Sequence, residues 1–337
     1  MIDKSIKLDF NDILIEPNPT TTIKSRSEIN IHDAVGNLPI LTAPMDTVVD
    51  ENNLNLFKSL NINVCLPRGE GGYPDDFKSF SLDKFKNTFF NGIVKDNMGN
   101  ILIDTANGHL GDIVEAVKDF KRISPKQIIM VGNVANAEAY LRLSNAGADY
   151  IRVGIGNGGG CLTTQQTGVG FPMASLISEC YDKSCELDNP AKIVADGGMQ
   201  KYSDIIKALA LGADYVMLGS IFNKALESSG KNYIFKRIPV SQVMAEILHT
   251  KGFEIHKQFR GMSTKEVQKK WGNKVLKTSE GVVRYRPVEY TLESWIENFE
   301  SYLRSAMSYS NARNLKEFVN NSRIIRVSNH SYKRYNK

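Results

Sequence analysis

Cys161, at the centre of a glycine-dense loop, is the residue best suited to carry chemistry. Residues 154–170 read Gly-Ile-Gly-Asn-Gly-Gly-Gly-Cys-Leu-Thr-Thr-Gln-Gln-Thr-Gly-Val-Gly. Each glycine weakens its own segment through lost backbone entropy, so a loop of this kind indicates close approach of the backbone to a ligand. A thiolate is a strong nucleophile, and loop N–H groups directed at the sulfur would favour its formation. We therefore predict that Cys161 is a nucleophile.

The loop belongs to a repeating pattern of short apolar strand, polar loop and amphipathic helix. Such alternation favours a parallel sheet covered by helices. The tetrapeptide Gly-Ala-Asp-Tyr occurs at 147–150 and again at 212–215, and an identical junction two units apart favours a closed (β/α)8 barrel over an open sheet. The predicted strands are 101–104, 128–131, 150–153, 192–196 and 215–218, and the predicted helices are 110–122, 136–146, 172–182 and 202–211.

In a (β/α)8 barrel the loops that follow the strands carry the chemistry. The polar candidates all fall there: Asp104, Asn133, Cys161, Asp196 with Gly197 and Gly198, and Gly219 with Ser220. Two stretches do not fit the repeat, a polar segment at 66–98 and a flap at about 259–288. No Pro/Ser-rich linker divides the chain, so one domain is predicted over 1–337, with C-terminal helices and a tail from about 291 to 337.

The bulk composition narrows the class of protein. The net charge of +5 is thinly spread, which suits an enzyme of anionic small molecules and is weak support for nucleic-acid binding. No run of 18 apolar residues or signal-like N-terminus occurs, so a cytoplasmic protein without a membrane partner is expected. Four cysteines form neither a disulfide framework nor a zinc motif. Cys65, Cys180 and Cys185 are expected to be buried and inert.

Ordered motifs run along the whole chain, among them residues 8–15, 39–48 and 104–109 and the cysteine loop. Together they resemble the IMP dehydrogenase/GMP reductase family. The resemblance implies a TIM barrel, a homotetramer, a purine nucleotide substrate and a nicotinamide cofactor. It also implies that Cys161 attacks C2 of the purine, and that a hydride moves between C2 and the nicotinamide. The matching segments are 8–15, 25–27, 39–48, 104–109, 131–134, the cysteine loop, 195–198, 216–220, 260–263 and 303–305.

The resemblance assigns roles residue by residue. Thr163 and Glu280 match the groups that assist the leaving group, Asp196 matches the ribose-binding carboxylate, and Gly198, Gly219 and Ser220 match the phosphate cradle. The remaining substrate contacts implied are Met45, Arg260, Gly261, Met262 and Ser263. Simpler roles stay open: a turn hydroxyl for Thr163, a helix cap for Ser220, core packing for Met45 and Met262, and a solvated flap carboxylate for Glu280.

The cofactor side is also assigned by resemblance. Asp104, Ala106 and Asn107 match the segment beside the nicotinamide, and Arg68 stands in a segment that replaces a His-Lys pair. NADPH is the expected cofactor and NAD the alternative. The resemblance further implies a monovalent cation such as K+ at Gly156, Gly158 and Cys161. His109 is either part of this region or an ordinary loop histidine.

Two reactions share this scaffold. A dehydrogenase must hydrolyse its adduct and needs a base, which in the family comes from a long flap with an Arg-Tyr pair, whereas a reductase expels ammonia from GMP and needs no such water. Between Met262 and Glu280 the flap is short and has no Arg-Tyr dipeptide, which favours GMP reductase. Segments 214–220 and 303–309 lean towards IMP dehydrogenase.

The cysteine loop departs from the family pattern. Asn157 replaces a proline, Gly159 a phosphate-binding serine, Leu162 a threonine and Thr164 an arginine. Loss of the serine should remove a hydrogen bond of about 1.5–3 kcal/mol if nothing compensates. A divergent enzyme acting on a deoxy or modified purine nucleotide is therefore a further alternative, and a non-enzymatic nucleotide-binding barrel is the remaining one.

Overall fold

The computed structural model describes residues 5–90, 99–262, 264, 267 and 281–335. The strands are β1 Ile13–Glu16, β2 Ile40–Thr42, β3 Cys65–Leu66, β4 Phe77–Phe80, β5 Asn100–Asp104, β6 Ile129–Val134, β7 Tyr150–Val153, β8 Lys192–Asp196, β9 Tyr215–Leu218, β10 Asn232–Ile234, β11 Ile238–Val240, β12 Ile255–Arg260, β13 Val283–Pro287 and β14 Arg323–Arg326. The α-helices are α1 Leu54–Ser59, α2 Leu82–Phe89, α3 Gly111–Ile123, α4 Ala137–Asn145, α5 Thr163–Thr167, α6 Met173–Ser184, α7 Tyr202–Ala210, α8 Gln242–Thr250, α9 Leu292–Tyr309, α10 Leu315–Asn321 and α11 Asn329–Tyr335.

Among these residues, β2 to β9 form an eight-stranded parallel sheet in the order β2-β9-β8-β7-β6-β5-β4-β3. A parallel bridge between Leu41 and Asn63 joins its two edges. The Thr42 hydroxyl reinforces this junction, because it donates to the Cys65 carbonyl at 3.1 Å and accepts from the Cys65 N–H at 2.9 Å. The prediction of a (β/α)8 barrel is confirmed.

Alternation along the strands separates two apolar layers. In β5, Ile101 and Ile103 pack in the outer core against the helices, whereas Leu102 packs in a second cluster inside the barrel. Successive side chains of a strand point to opposite faces, so Asp104, two residues beyond Leu102, also faces inwards. The same alternation applies in β7: Tyr150 packs against the inner cluster, so Arg152, two residues later, also faces inwards.

The prediction that residues 66–98 lie outside the repeat is wrong for the described part of that segment. β4 pairs in parallel with β3 and β5, and α2 covers it with Phe85 and Phe89 buried. The Ser81 hydroxyl caps this helix by accepting from the Lys84 N–H at 3.3 Å. The sequence pattern of this βα unit is hard to recognise, because β4 contains the polar residues Lys78 and Ser79 and follows a polar connection.

Three additions accompany the barrel. An antiparallel sheet with the order β11-β10-β12-β13 follows β9, and the end of β12 and the whole of β13 fall within the predicted flap. A two-stranded sheet pairs β1 with β14. The C-terminal helices include α9, whose buried face carries Trp295, Phe299 and Leu303. In the described ranges, none of the helices has the length and apolar character needed to cross a bilayer.

Candidate active site

A cavity of about 300 Å³ opens at the carboxyl end of the barrel strands. It is lined by the carboxyl ends of β5, β6, β7, β8, β9 and β12 and by the loops after β2, β3, β5, β7, β8 and β9. The structure brings most of the predicted site residues to this one cavity: Met45, Arg68, Asp104, Ala106, Gly156, Gly158, Cys161, Thr163, Asp196, Gly198, Gly219, Ser220, Gly261 and Met262.

Cys161 lies in the cavity wall beside a hydroxyl. Its thiol donates to Oγ1 of Thr163 at 3.1 Å, and its N–H closes a turn onto the Gly158 carbonyl at 2.9 Å. The loop before it is shaped around Thr164, whose hydroxyl donates to the Val169 carbonyl at 2.8 Å. A Cβ at Gly156, which has φ +82°, would overlap that hydroxyl, so the glycine is required there. The thiol and hydroxyl are close enough to exchange a proton.

The cysteine loop is joined to the antiparallel sheet through backbone contacts. Cys161 forms an antiparallel bridge with Gly281, and the Val282 N–H donates to the Gly160 carbonyl at 3.2 Å. The Gly261 N–H in turn donates to the Val282 carbonyl at 3.0 Å. Gly261, Gly281 and Val282 therefore hold the loop around Cys161 in place.

Arg152 is the central charged residue that sequence reasoning missed. It is 6% exposed and donates to Oδ1 of Asp104 and to Oδ2 of Asp196, both at 2.8 Å. Burial alone would lower the pKa of its guanidinium, but the Asp196 and Asp104 carboxylates raise that pKa above its usual value. Gly132 provides the space, since a Cβ there would collide with Arg152. An arginine in the apolar strand 150–153 was the available signal.

The two carboxylates have further partners. The Asn133 amide donates to Oδ2 of Asp196 at 2.7 Å and to the Gly154 carbonyl at 2.8 Å. On the other side, Nε of Arg68 lies 3.3 Å from Oδ2 of Asp104, and its guanidinium also donates to the Asp104 carbonyl. Both carboxylates are therefore held in fixed orientations and remain partly exposed to the cavity.

Several predicted site residues lie elsewhere. Arg260 forms an ion pair with Asp46 at 2.6 Å and lines a separate cavity, because it follows Phe259, which lines the first cavity, and successive side chains of a strand point to opposite faces. The Asn107 side chain accepts from the His109 N–H at 3.1 Å, in the exposed loop after β5. Nε2 of His109 accepts from the Ala135 N–H at 3.1 Å and so braces two neighbouring loops. Ser263 and Glu280 lie outside the described residues.

The remaining thiols differ in exposure. Cys65 and Cys180 are buried, which raises the pKa of each thiol, to about 12 for Cys180. The expectation that Cys185 is buried is wrong, because it caps the end of α6 at the surface. The described residues contain no group of three or more His, Cys, Asp or Glu suited to a metal ion. The K+ site at Gly156, Gly158 and Cys161 stays a prediction from the resemblance.

Comparison with known proteins gives a consistent result. The family model described as the IMP dehydrogenase / GMP reductase domain matches residues 85–336. The chain is 31% identical to GMP reductase 2 of Mus musculus and 32% identical to GMP reductase 2 of Homo sapiens, in each case over 97% of this chain and 96% of the relative. It is 31% identical to GMP reductase of Buchnera aphidicola subsp. Schizaphis graminum, with the same shares covered. The chain therefore belongs to the IMP dehydrogenase/GMP reductase family.

Proposed function

We propose that the protein is an NADPH-dependent GMP reductase, which converts GMP to IMP and ammonia through a covalent adduct at Cys161. The observation that carries the proposal is the Cys161–Thr163 pair, which opens into the same cavity as Asp196, Gly219 and Ser220. The GMP reductases compared above match along nearly their whole length.

The reaction starts at C2 of GMP. Attack by the Cys161 thiolate forms a C–S bond, and the bond between C2 and the amino nitrogen then breaks to release ammonia. Hydride addition at C2 and rupture of the C–S bond return the thiolate and give IMP. The balance is GMP, NADPH and two protons on one side, and IMP, ammonium and NADP+ on the other.

Thr163 and Glu280 are proposed to manage the protons. The Thr163 hydroxyl, 3.1 Å from the Cys161 sulfur, is proposed to accept the thiol proton while it passes its own proton towards the leaving amine. Glu280 is proposed as the acid that completes the protonation of ammonia. The bridge between Cys161 and Gly281, the next residue in the chain, supports this proposal.

Binding of the nucleotide is assigned to the loops after β8 and β9. Asp196, fixed by Arg152 and Asn133, presents its carboxylate to the ribose hydroxyls. Gly219 and Ser220 are proposed to face the 5′-phosphate, together with Gly198. Met45, Gly261 and Met262 line the remaining wall, where the base would lie.

NADPH, when bound, supplies the hydride. The wall formed by Arg68, Asp104 and Ala106 fits this role, because it adjoins the same cavity and its carboxylate is neutralised by two arginines. These residues would hold the cofactor, and Asn107 is proposed as an additional contact, whereas Ser263 is proposed as a contact of the base. The oligomer proposed from the resemblance is a homotetramer, and the location proposed is the cytoplasm.

One observation bears on the alternative, IMP dehydrogenase. The dipeptide Arg284-Tyr285 follows Gly281, but it lies on β13, where both residues are exposed. Tyr285 packs edge-to-face against Tyr233 with ring centroids 5.0 Å apart. Neither residue lines the cavity, so this pair does not supply a base for water.

A paired assay tests the proposal. Purified protein with GMP and NADPH should consume the reduced-nicotinamide absorbance, whereas IMP with NAD should give no gain. The Cys161→Ala variant should bind GMP and turn nothing over. A gain of this absorbance with IMP and NAD, together with no loss of it with GMP and NADPH, would instead identify a dehydrogenase. Parallel reactions with dGMP define the sugar specificity.

A further inference from the structure

We propose that Arg286, on β13, binds the 5′-phosphate of the nucleotide and replaces the serine that Gly159 lacks. The inference rests on the proposed function and deepens it, because it assigns a specificity-determining residue to the phosphate end of the site.

The first step is the space at Gly159. A Cβ built on Gly159 would lie 3.3 Å from Nη2 of Arg286, and 3.3 and 3.4 Å from Cβ and Oγ of Ser220. The guanidinium and the Ser220 hydroxyl therefore converge on the volume that a serine at 159 would occupy. Gly159 and Ser220 both line the cavity, so this volume adjoins the nucleotide site.

The second step is the state of the guanidinium. It lies over the ring of Phe259, with Cζ 4.3 Å from the centroid, and Phe259 itself borders the cavity. Of the described residues, no carboxylate lies within 4.0 Å of it to form a salt bridge. Burial and the neighbouring Arg284 lower the pKa of Arg286, so an anion at this position would relieve an unfavourable charge.

The third step is a shortage of donors in the cradle. The Gly198 N–H already donates to the Asn157 carbonyl at 2.8 Å, and Gly159 has no hydroxyl to offer. A guanidinium supplies a full charge and two parallel donors, which match the oxygens of a phosphate better than a serine hydroxyl does. Arg286 can therefore compensate for both deficits.

The geometry favours the phosphate of the substrate over those of the cofactor. Ser220 follows β9, whereas Asp104 and Ala106, on the proposed cofactor side, end or follow β5. In the order β2-β9-β8-β7-β6-β5-β4-β3, β9 and β5 lie four strands apart, on opposite sides of the barrel. Arg286 belongs to the β9 side.

The test measures binding without turnover. In a Cys161→Ala background, titration calorimetry compares GMP with guanosine, which lacks the phosphate. Arg286→Ala should weaken GMP binding about 10- to 100-fold, the range of a charge-assisted hydrogen bond, and leave guanosine binding unchanged. Arg326→Ala, which removes an exposed arginine on β14, is the matched control and should change neither affinity.

A second pair of variants guards against a folding defect. Gly159→Ser should weaken GMP binding when Arg286 is present, since the two side chains compete for one space, and should restore GMP binding in the Arg286→Ala background. Equal loss of GMP and guanosine affinity, or loss of NADP+ rather than GMP affinity, would overturn the inference. If the parent Cys161→Ala protein does not bind GMP at all, the proposed function falls, and this inference with it.

Discussion

Nη2 of Arg152 donates to Oδ2 of Asp196 at 2.8 Å at the floor of the cavity. The other end of the same guanidinium donates to Asp104 at the same distance. One buried cation therefore sets the orientation of the carboxylate assigned to the ribose and of the carboxylate assigned to the cofactor side. Both halves of the site depend on it.

Replacement of Arg152 by Met should be strongly destabilising. It would leave two partly buried carboxylates without their cation, and breaking a buried pair in this way costs about 3–5 kcal/mol. Urea unfolding at neutral pH measures the change. Arg122→Met is the control, because Arg122 is exposed and pairs with Asp119 at the surface, where such pairs contribute at most about 1 kcal/mol. Equal effects in the two variants would contradict a central role for Arg152.

The four thiols should differ in their reaction with iodoacetamide. Cys161 and Cys185 are accessible, whereas burial raises the pKa of Cys65 and Cys180 and shields them. GMP at about ten times its dissociation constant should slow alkylation of Cys161 about tenfold through occupancy of the site. Peptide mass spectrometry reads each site separately, and Cys185 is the internal control. Protection of Cys185, or none at Cys161, would contradict the assigned binding site.

The Thr163 hydroxyl should matter more for turnover than for binding. Thr163→Val keeps the shape of the side chain but removes the group 3.1 Å from the Cys161 sulfur. We expect kcat with GMP and NADPH to fall about 100-fold, as is typical for loss of a proton-transfer group, with KM little changed. Thr163→Ser keeps the hydroxyl and should stay within a few-fold of the parent. A rise in KM alone would indicate a binding role instead.

Lys257 should make stability depend on pH. It is fully buried, and burial lowers the pKa of its ammonium to about 7. The folded-state pKa lies below the unfolded value, so the unfolded chain binds more protons between about pH 7 and 10.5. The unfolding free energy then rises with pH across that window, by up to about 1.4 kcal/mol per pH unit.

Comparison with Lys257→Met isolates this effect, because the other titrating groups cancel in the difference. Between pH 7.5 and 9 the parent should gain about 2 kcal/mol relative to the variant in urea unfolding. Lys251→Met, which removes an exposed lysine at the end of α8, should follow the parent. Parallel pH profiles for the parent and Lys257→Met would show that the ammonium of Lys257 titrates normally.

The barrel could be predicted from the sequence because most of its βα units have a recognisable local pattern of apolar strand, polar loop and amphipathic helix. Strands such as 150–153 and 215–218 agree with the structure because apolar runs between Gly-Ala-Asp-Tyr and a polar loop leave little choice. The role of Arg152 could not be predicted, because its partners are carboxylates on other strands, and the sequence does not show which strands lie side by side. The role of Arg286 could not be predicted for a similar reason: Arg286 lies 127 positions along the chain from Gly159, and only the folded chain brings them together.

The inward direction of Asp104 on β5, Arg152 on β7 and Asp196 on β8 limits the sequence changes that these strands tolerate. A one-residue insertion within any of these strands would turn Asp104, Arg152 or Asp196 out among the apolar helices, so indels there are forbidden while loop substitutions are not. The strands therefore keep these three side chains in the cavity, whereas positions such as 157, 159, 162 and 164 of the cysteine loop can change without moving them. Substitutions that change the site without disturbing the barrel are therefore expected in the loops and in the added antiparallel sheet.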